Sequence, residues 1–455
     1  MTESTLALEY ARQHREQNLV ELKELLSIPS ISTLSQHKPD LQHAAEWLAQ
    51  QLVNMKFNHV EILPTGGHPV VYGEWLGAPG KPVVLIYGHY DVQPVDPLNE
   101  WQSPPFEPTL RGNDLYARGA SDMKGQAHAF LKALEALVEN GGLPVNVKVM
   151  LEGEEEIGSP NLGAFIAKNK AKLQCDVVLN ADGGIMRPDQ PSLVNGLRGL
   201  AYFELWIYGP KQDLHSGSFG GSVHNPAQVL CELIAGMHDA NGHITLPGFY
   251  DKVRQMPAEE RRSLAHATDE EWRAMAGVPQ LHGEKGFTTA ERLGARPTLE
   301  INGIVSGFTG EGAKTVLPAK AMAKISMRLV PYQDDNEIES QLRTYLEKHA
   351  PPTVRWELKK FVSGPAVLVR QDTDGVRAAF KALEKTFGVK PLFKLEGGSV
   401  PVVSMIQAHL GVDSIIMGFG LPDDNLHSPN EKLHLPNYYR GIEAYIRFFD
   451  AIAET

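Results

Sequence analysis

Histidine and acidic residues follow four short apolar runs of the sequence. The runs and the residues that end or follow them are VVLIYGH (83–89) with His89 and Asp91, VMLEG (149–153) with Glu155 and Glu156, VVLNA (177–181) with Asp182, and IIMGFG (415–420) with His427. A further acid, Asp122, lies in the glycine-flanked segment ARGASDMKG (117–125). Each residue alone is a weak signal, but imidazoles and carboxylates at the ends of neighbouring strands are what a metal site requires.

The chemistry of such a group of side chains favours a cation. Carboxylates packed together repel one another and shift their pKa values, and a bound cation offsets that repulsion. Mixed histidine and carboxylate ligands favour zinc, with manganese or cobalt as alternatives. A single catalytic zinc ion commonly keeps three protein ligands. One ligand from each of the four runs together with Asp122 makes five, and a set of five fits two metal ions that share one bridging carboxylate.

The elements that would position these residues are predicted from hydrophobic patterning. The four apolar runs alternate little, which is typical of strands buried on both faces, and a helix is predicted over 123–140 between the first two. This order predicts an α/β fold with a mostly parallel sheet flanked by helices. Residues 199–209 and 321–331 alternate instead, which favours half-buried antiparallel strands.

Two domains follow from this change of pattern. We expect a discontinuous catalytic domain over residues 1–196 and 376–455. An inserted α+β domain is expected over residues 197–375, with a helix near 225–238 and a helical segment over 255–295. A chain of 455 residues is long enough for this arrangement.

Composition limits the partners and the location. The net charge of −12 argues against nucleic acid and anionic membranes as partners, since both favour basic surfaces. Cys175 and Cys231 provide neither a disulfide framework nor a CxxC metal site. The sequence shows no apolar signal segment at its start and no run of about 18 apolar residues, so a cytoplasmic protein is expected.

The ordered motifs resemble those of the zinc metallopeptidase family that includes carnosinases, cytosolic nonspecific dipeptidase, aminoacylase, acetylornithine deacetylase and succinyl-diaminopimelate desuccinylase. The motifs are HYD, ARGASDMKG, EGEEEIGS, NADGG, DLHSGSFGG, GAKTVLP, RLVP, EGGS and HSPNE, which span about residues 20–445. The motifs DLHSGSFGG, AKTVLP and RLVP are most similar in sequence to those of the dipeptidase branch. The resemblance implies an inserted domain that serves as a lid and dimerisation domain, and a homodimeric hydrolase that cuts the peptide bond of dipeptides or short peptides.

The resemblance also implies a role for each metal-site residue. His89 and Asp182 would bind one metal ion, Glu156 and His427 the other, and Asp122 would bridge both. Glu155 would be the general base that takes a proton from water and later delivers one to the leaving amine. Asp91 would orient the imidazole of His89 by accepting its second N–H.

Substrate-binding residues are implied in the same way. His215 of DLHSGSFGG would stabilise the oxyanion in the active site of a partner subunit. Arg328 of RLVP would bind the C-terminal carboxylate of the substrate, which suits the bidentate geometry of a guanidinium. Thr315 and Ser399 match positions that line the substrate. The family pattern also implies a cis peptide bond between Asp122 and Met123.

The chain departs from the family pattern at one position. Val362 stands in FVSGPAVLV where carnosinase-like members usually carry a histidine, and no histidine lies between His349 and His409. A different substrate class on the same machinery would be consistent with this change. The alternatives are therefore a deacylase or amidase that acts on N-acyl amino acids or another small amide, and a non-catalytic binding protein. The sequence disfavours a serine hydrolase because it contains no G-x-S-x-G motif.

Overall fold

The structure, a computed structural model, describes residues 3–263, 267–398 and 400–455. The chain divides into two compact units. The first unit comprises Met1–Asn195, Val369–Lys394 and Val400–Thr455, and the second comprises Gly196–Leu368 and Leu395–Ser399. The catalytic, lid and dimerisation roles expected for the two domains remain predictions.

Strands and helices are interspersed along the chain. The strands are β1 Asn58–Leu63, β2 Val70–Trp75, β3 Val83–His89, β4 Thr109–Arg111, β5 Asp114–Tyr116, β6 Asn146–Glu152, β7 Val177–Asn180, β8 Ser192–Leu197, β9 Gly199–Tyr208, β10 Leu214–His215, β11 Thr298–Ser306, β12 Val316–Leu317, β13 Lys320–Leu329, β14 Arg355–Gly364, β15 Val367–Leu368, β16 Leu392–Glu396, β17 Ser414–Ile416 and β18 Lys432–His434. The helices are α1 Glu3–Gln13, α2 Arg15–Leu26, α3 Lys38–Asn54, α4 Lys124–Val138, α5 Leu162–Lys168, α6 Lys170–Leu173, α7 Ser216–Phe219, α8 Pro226–Gly236, α9 Ala258–Ser263, α10 Asp269–Ala276, α11 Thr289–Gly294, α12 Asp335–His349, α13 Asp374–Phe387, α14 Pro401–Leu410 and α15 Leu435–Ala453. Among the described helices, none combines the length and the apolar character needed to cross a membrane.

A sheet with a parallel centre forms the middle of the first unit. Its strand order is β1-β2-β6-β3-β7-β17-β8. The pairings β6–β3, β3–β7 and β7–β17 are parallel, and the outer pairings are antiparallel. Every residue of β6 is buried, as expected for a strand covered on both faces. The predicted α/β fold with a mostly parallel sheet is confirmed.

The helices of the first unit pack on this sheet and on one another. Helix α4 contacts α1, α2 and α15, while α14 contacts α5. The helical segment at the start of the first unit is interrupted at His14, between α1 and α2. The imidazole of His14 stacks on Tyr10 at 3.8 Å, and its Nδ1 lies 2.8 Å from the Tyr10 carbonyl oxygen. The backbone N–H of His14 donates to the same carbonyl at 3.0 Å, so the Tyr10 oxygen is shared between the main chain and the side chain where the helix is interrupted.

The parallel strands β3, β6, β7 and β17 end at one edge of the sheet, so the loops that follow them lie side by side. Two of these loops approach each other closely, since the residues after β7 and β17 form a bridge at Gly184 and Gly420. A Cβ atom on Gly418 would lie 2.2 Å from the carbonyl oxygen of Gly183. Glycine is required there because any side chain would separate the two loops.

The second unit is built around an antiparallel sheet. Its strand order is β11-β13-β9-β14. Side chains of β9 alternate between buried and half-buried, and α8 and α12 contact this sheet. The described part of the predicted helical segment over 255–295 contains α9, α10 and α11. A separate pair, β10 and β12, joins Leu214 to Leu317 and His215 to Val316.

Candidate active site

His89 is the last residue of β3 and is fully buried. Its Nε2 atom lies 3.2 Å from Oδ1 of Asp122, while Nδ1 faces Asp91. The Nδ1 atom is 3.1 Å from the carbonyl oxygen of Asp91 and 3.4 Å from its carboxylate Oδ1. The main-chain oxygen is therefore the closer of the two acceptors that can hold this imidazole in place.

The carboxylate of Asp91 also fixes the turn after β6. Its Oδ1 accepts a hydrogen bond from the backbone N–H of Glu155 at 3.2 Å, and Oδ2 accepts one from that of Glu156 at 3.0 Å. Asp91 is buried, so these bonds are shielded from water. One side chain thus links the loop of His89 to Glu155 and Glu156, a connection that no motif of the sequence predicts.

Asp122 lies between the two histidines. Its Oδ1 faces Nε2 of His89, and its Oδ2 lies 2.9 Å from Nε2 of His427. The same nitrogen of His427 is 3.1 Å from Oε2 of Glu156. The peptide bond between Asp122 and Met123 is cis, as predicted.

Two groups of three side chains have the spacing of metal ligands, and they share Asp122. One group contains His89, Asp122 and Asp182, and the other contains Asp122, Glu156 and His427. Within each group, one ligand atom per residue lies within 4.8 Å of the others. The structure therefore brings together all five residues that the sequence analysis assigned to metal binding.

Gln93 is a further residue of this region that sequence patterning did not indicate. Its side-chain amide donates to Oε2 of Glu156 at 2.8 Å and to the Glu156 carbonyl oxygen at 3.1 Å. The oxygen that Gln93 binds is also the one that faces Nε2 of His427, so Gln93 helps to fix the Glu156 carboxylate beside that imidazole. A glutamine four residues after His89 carries no distinctive motif, so only the folded chain identifies it.

The pKa values of the group reflect its concentrated negative charge. Hydrogen bonds to Asp122 and Glu156 raise the pKa of His427 to about 10. Burial alone would lower the pKa of His89, but hydrogen bonds to Asp122 and Asp91 raise it well above its usual range. Burial and the carboxylates of Asp182 and Glu156 raise the pKa of Glu155 well above its usual range, against the opposing effect of His89.

The residues present fit a pair of divalent cations. Without a cation, protonated imidazoles supply the positive charge that the carboxylates require. A cation that replaces those protons would satisfy the same oxygens and leave the neutral imidazole nitrogens as ligands. The donors are imidazole nitrogens and carboxylate oxygens, which suit zinc, manganese or cobalt.

The remaining predicted residues belong to the second unit. His215 and Thr315 lie on adjoining segments, since the backbone N–H of Ser216 donates to the Thr315 carbonyl oxygen at 3.1 Å. The Nδ1 atom of His215 accepts a hydrogen bond from the backbone N–H of Gly217 at 3.0 Å. The neutral imidazole therefore carries its proton on Nε2, and the side chain is exposed.

Arg328 is half-buried near the end of β13, where burial lowers the pKa of its guanidinium. Its charge adds to the effect of burial on the neighbouring Arg198, and the pKa of Arg198 falls to about 10. Val362 lies on β14 with 55 % of its surface exposed. Ser399 lies outside the described residues.

Comparison with known proteins assigns this chain to a family. The family model described as "Peptidase family M20/M25/M40" matches residues 85–451. The chain belongs to this family. It is therefore a peptidase, and the resemblance inferred from the motifs is confirmed.

Relatives of this M20 chain match it over nearly their full length. A Cys-Gly metallodipeptidase, DUG1, of Candida albicans is 32% identical, and the match covers 94% of this chain and 93% of the relative. The crystal structure of human carnosine dipeptidase 1 has a TM-score of 0.88 and 29% identity, with 100% of both chains covered. That of the M20 family metallo-carboxypeptidase Sso-CP2 from Sulfolobus solfataricus has a TM-score of 0.87 and 34% identity, with 96% of this chain and 99% of the other covered.

Proposed function

We propose that this peptidase hydrolyses dipeptides, or short peptides with a free C-terminal carboxylate, with the help of two divalent metal ions. The observation that carries the proposal is that Asp122 belongs to both groups of three side chains, here called triads, that have the spacing of metal ligands. The names of two relatives, a Cys-Gly metallodipeptidase and a carnosine dipeptidase, support a dipeptide substrate. A third relative is named a metallo-carboxypeptidase, and this name refers to the C-terminal end of a peptide.

The five side chains of the triads are the proposed metal ligands. His89 and Asp182 would hold one ion, Glu156 and His427 would hold the other, and Asp122 would contribute a ligand to both. When bound, such a pair of ions lowers the pKa of a water molecule and polarises the scissile carbonyl. Zinc is the first choice for these ligands, with manganese or cobalt as alternatives.

Glu155 is the proposed general base. Its carboxylate accepts no hydrogen bond from the described part of the chain, so both oxygens are free to take a proton. Glu155 would remove a proton from the attacking water as the new C–O bond forms at the carbonyl carbon. It would then deliver that proton to the amine nitrogen as the C–N bond breaks, so that the carboxylate is regenerated.

Asp91 has two proposed positioning tasks. Contacts of Nδ1 with Asp91 would fix the orientation of the His89 imidazole so that Nε2 faces the metal site. The two backbone hydrogen bonds to its carboxylate would fix Glu155 and Glu156 in the turn after β6. Both tasks reduce the reorganisation required during the reaction.

His215 is proposed to stabilise the oxyanion in the active site of the partner subunit of a homodimer, as the family resemblance implies. Two observations support this role. The hydrogen bond from Gly217 to Nδ1 leaves the proton on Nε2, which makes Nε2 a donor. The side chain is exposed and therefore accessible to a ligand.

Arg328 is the proposed binding residue for the substrate carboxylate, with Thr315 and Ser399 beside the substrate. Arg328 and Arg198 are close enough for their charges to interact unfavourably, and a carboxylate bound at Arg328 would offset that repulsion. Val362 replaces a histidine of the carnosinase pattern. For that reason an N-acyl amino acid, which also carries a free carboxylate, is kept as the second candidate substrate.

Metal removal and a matched substrate panel test the proposal. The chelator-treated chain should be inactive, and zinc, manganese or cobalt should restore hydrolysis. On the restored enzyme, a dipeptide should have a roughly 10–100-fold higher kcat/KM than the same dipeptide with a C-terminal amide, because the amide loses the charged contact with Arg328. Full activity in the metal-free chain would refute the metal hypothesis, and a preference for N-acetyl amino acids over dipeptides would identify a deacylase.

Mixed dimers test the role of His215 across an interface. His215→Ala and Glu155→Gln chains should each be nearly inactive alone. A heterodimer of the two variants should regain up to about half of the wild-type activity per dimer, because one of its two sites combines an intact Glu155 with an intact His215 of the partner subunit. The measurement is the hydrolysis rate of heterodimers isolated with two different affinity tags. Inactive heterodimers would show that each chain uses its own His215.

A further inference from the structure

Glu431 is a fully buried acid whose carboxylate receives four hydrogen bonds from one loop. Its Oε1 accepts from the backbone N–H groups of Ser121 and Asp122, both at 3.0 Å. Its Oε2 accepts from the backbone N–H of Gly119 at 2.9 Å and from Nη1 of Arg118 at 2.7 Å. All four donors lie in the segment that ends at Asp122, the residue shared by the two triads.

These hydrogen bonds determine the conformation of the loop. Buried backbone N–H groups require acceptors, and an unpaired one costs more than an ordinary hydrogen bond contributes. Glu431 supplies the acceptor for three backbone N–H groups of this loop, including that of Gly119, whose φ angle is +79°. Removing either carboxylate oxygen would leave two donors of this loop without a partner.

Glu431 also belongs to the segment that carries His427. It lies four residues after His427 and just before β18. Asp424 provides a second connection, since its Oδ2 accepts from Oγ of Ser121 at 2.6 Å and from the backbone N–H of Leu421 at 2.8 Å. The Asp122 loop and the His427 loop are thus joined on both sides of His427.

The His427 loop needs such connections because its backbone is unfavourable. Asn425, His427 and Asn430 have φ angles of +56°, +59° and +61°. Non-glycine residues in this left-handed region persist when surrounding contacts hold them there. The side chain of His427 is 54 % exposed, so packing around the imidazole cannot be what fixes its position.

We propose that Glu431 is a positioning residue that sets the spacing between Asp122 and His427 and thereby the affinity of the metal site. The inference rests on the proposed function, since it assumes that these two residues bind metal. Glu431 is too deeply enclosed by its four donors to be a ligand itself. It acts through the backbone of Asp122 on one side and through the His427 loop on the other.

Substitution of Glu431 by glutamine tests this role on the full-length chain. In Glu431→Gln an amide NH₂ group faces two of the four donors, so the loop before Asp122 must move. We expect a roughly 10–100-fold weaker affinity for zinc, the usual effect of removing a partner that supports a metal ligand. The affinity is measured by competition with a chromophoric chelator, and the cobalt-loaded protein should show a changed visible absorption spectrum.

Glu291→Gln is the matched control. Glu291 is also a buried glutamate that binds an arginine, Arg261, and a backbone N–H, that of Thr288, but it lies in the second unit. Its substitution should leave zinc affinity and the cobalt spectrum unchanged. Should Glu431→Gln fail to fold, Glu431→Asp provides the same comparison, because it keeps the charge for Arg118 but is too short to reach both pairs of donors.

The outcomes separate this inference from the proposed function. A folded Glu431 variant with wild-type zinc affinity and an unchanged cobalt spectrum would overturn it, even if its melting temperature fell. A wild-type chain that binds zinc but cleaves no dipeptide would refute the proposed substrate and leave the comparison of affinities valid. A wild-type chain without affinity for zinc, manganese or cobalt would overturn both.

Discussion

Glu155→Gln should retain its metal ions and lose about 10²–10⁴-fold in kcat on a dipeptide, the range expected when a general base is removed. Glutamine has nearly the same shape as glutamate but cannot accept a proton at neutral pH. The backbone N–H of residue 155 still donates to Asp91, so the turn after β6 should keep its conformation. The loss should therefore appear in kcat, with KM little changed.

The neighbouring acid provides the control for this prediction. Glu154 is buried, and its carboxylate accepts from the backbone N–H of His68 at 3.1 Å and from the amide of Asn161 at 3.0 Å. Its role is structural, so Glu154→Gln should stay within about tenfold of the wild-type kcat. The measurements are steady-state kinetics and metal content per chain. Near wild-type turnover by Glu155→Gln with full metal content would exclude Glu155 as the base.

The sequence was sufficient to predict the parts of the molecule that depend on local pattern. Buried parallel strands consist of nearly continuous Val, Ile and Leu, so β3, β6, β7 and β17 could be recognised from composition alone. Because parallel strands end at one edge, His89 and Asp182 could be expected near each other. Asp122 lies in a loop rather than at a strand end, and its assignment as the bridging residue depended on the family resemblance.

The orienting contact of Asp91 with His89 was predicted, but the contacts of Asp91 and Glu431 with backbone N–H groups, and that of Gln93 with Glu156, were not, because they depend on loop conformation. Backbone N–H groups donate to Asp91 and to Glu431, and Gln93 donates to one carboxylate oxygen of Glu156. These donors and acceptors point toward each other only after several loops have packed together. No residue spacing encodes such a contact. Similarly, at the break at His14 a side chain binds a carbonyl of its own helix, which a hydrophobic pattern does not register.

The sharing of Asp122 by both triads leads to the second large expected effect. Asp122→Ala removes a ligand from each triad, whereas Asp182→Ala removes one from the first triad only and leaves Asp122, Glu156 and His427 intact. We therefore expect Asp122→Ala to lose both metal ions and nearly all activity. Asp182→Ala should keep one ion per chain. The loss of a residue that only supports a ligand weakens metal affinity roughly 10–100-fold, and we expect the metal affinity of each affected site to fall by more than that.

Metal content after dialysis against trace zinc distinguishes the two variants. Values near zero for Asp122→Ala and near one for Asp182→Ala would agree with a bridging carboxylate, and Glu156→Ala should match Asp182→Ala because it leaves the other triad complete. If Asp122→Ala kept one ion with wild-type affinity, Asp122 would serve a single metal ion. In that case water activation would depend on one ion, and a mechanism based on a shared carboxylate would have to be abandoned.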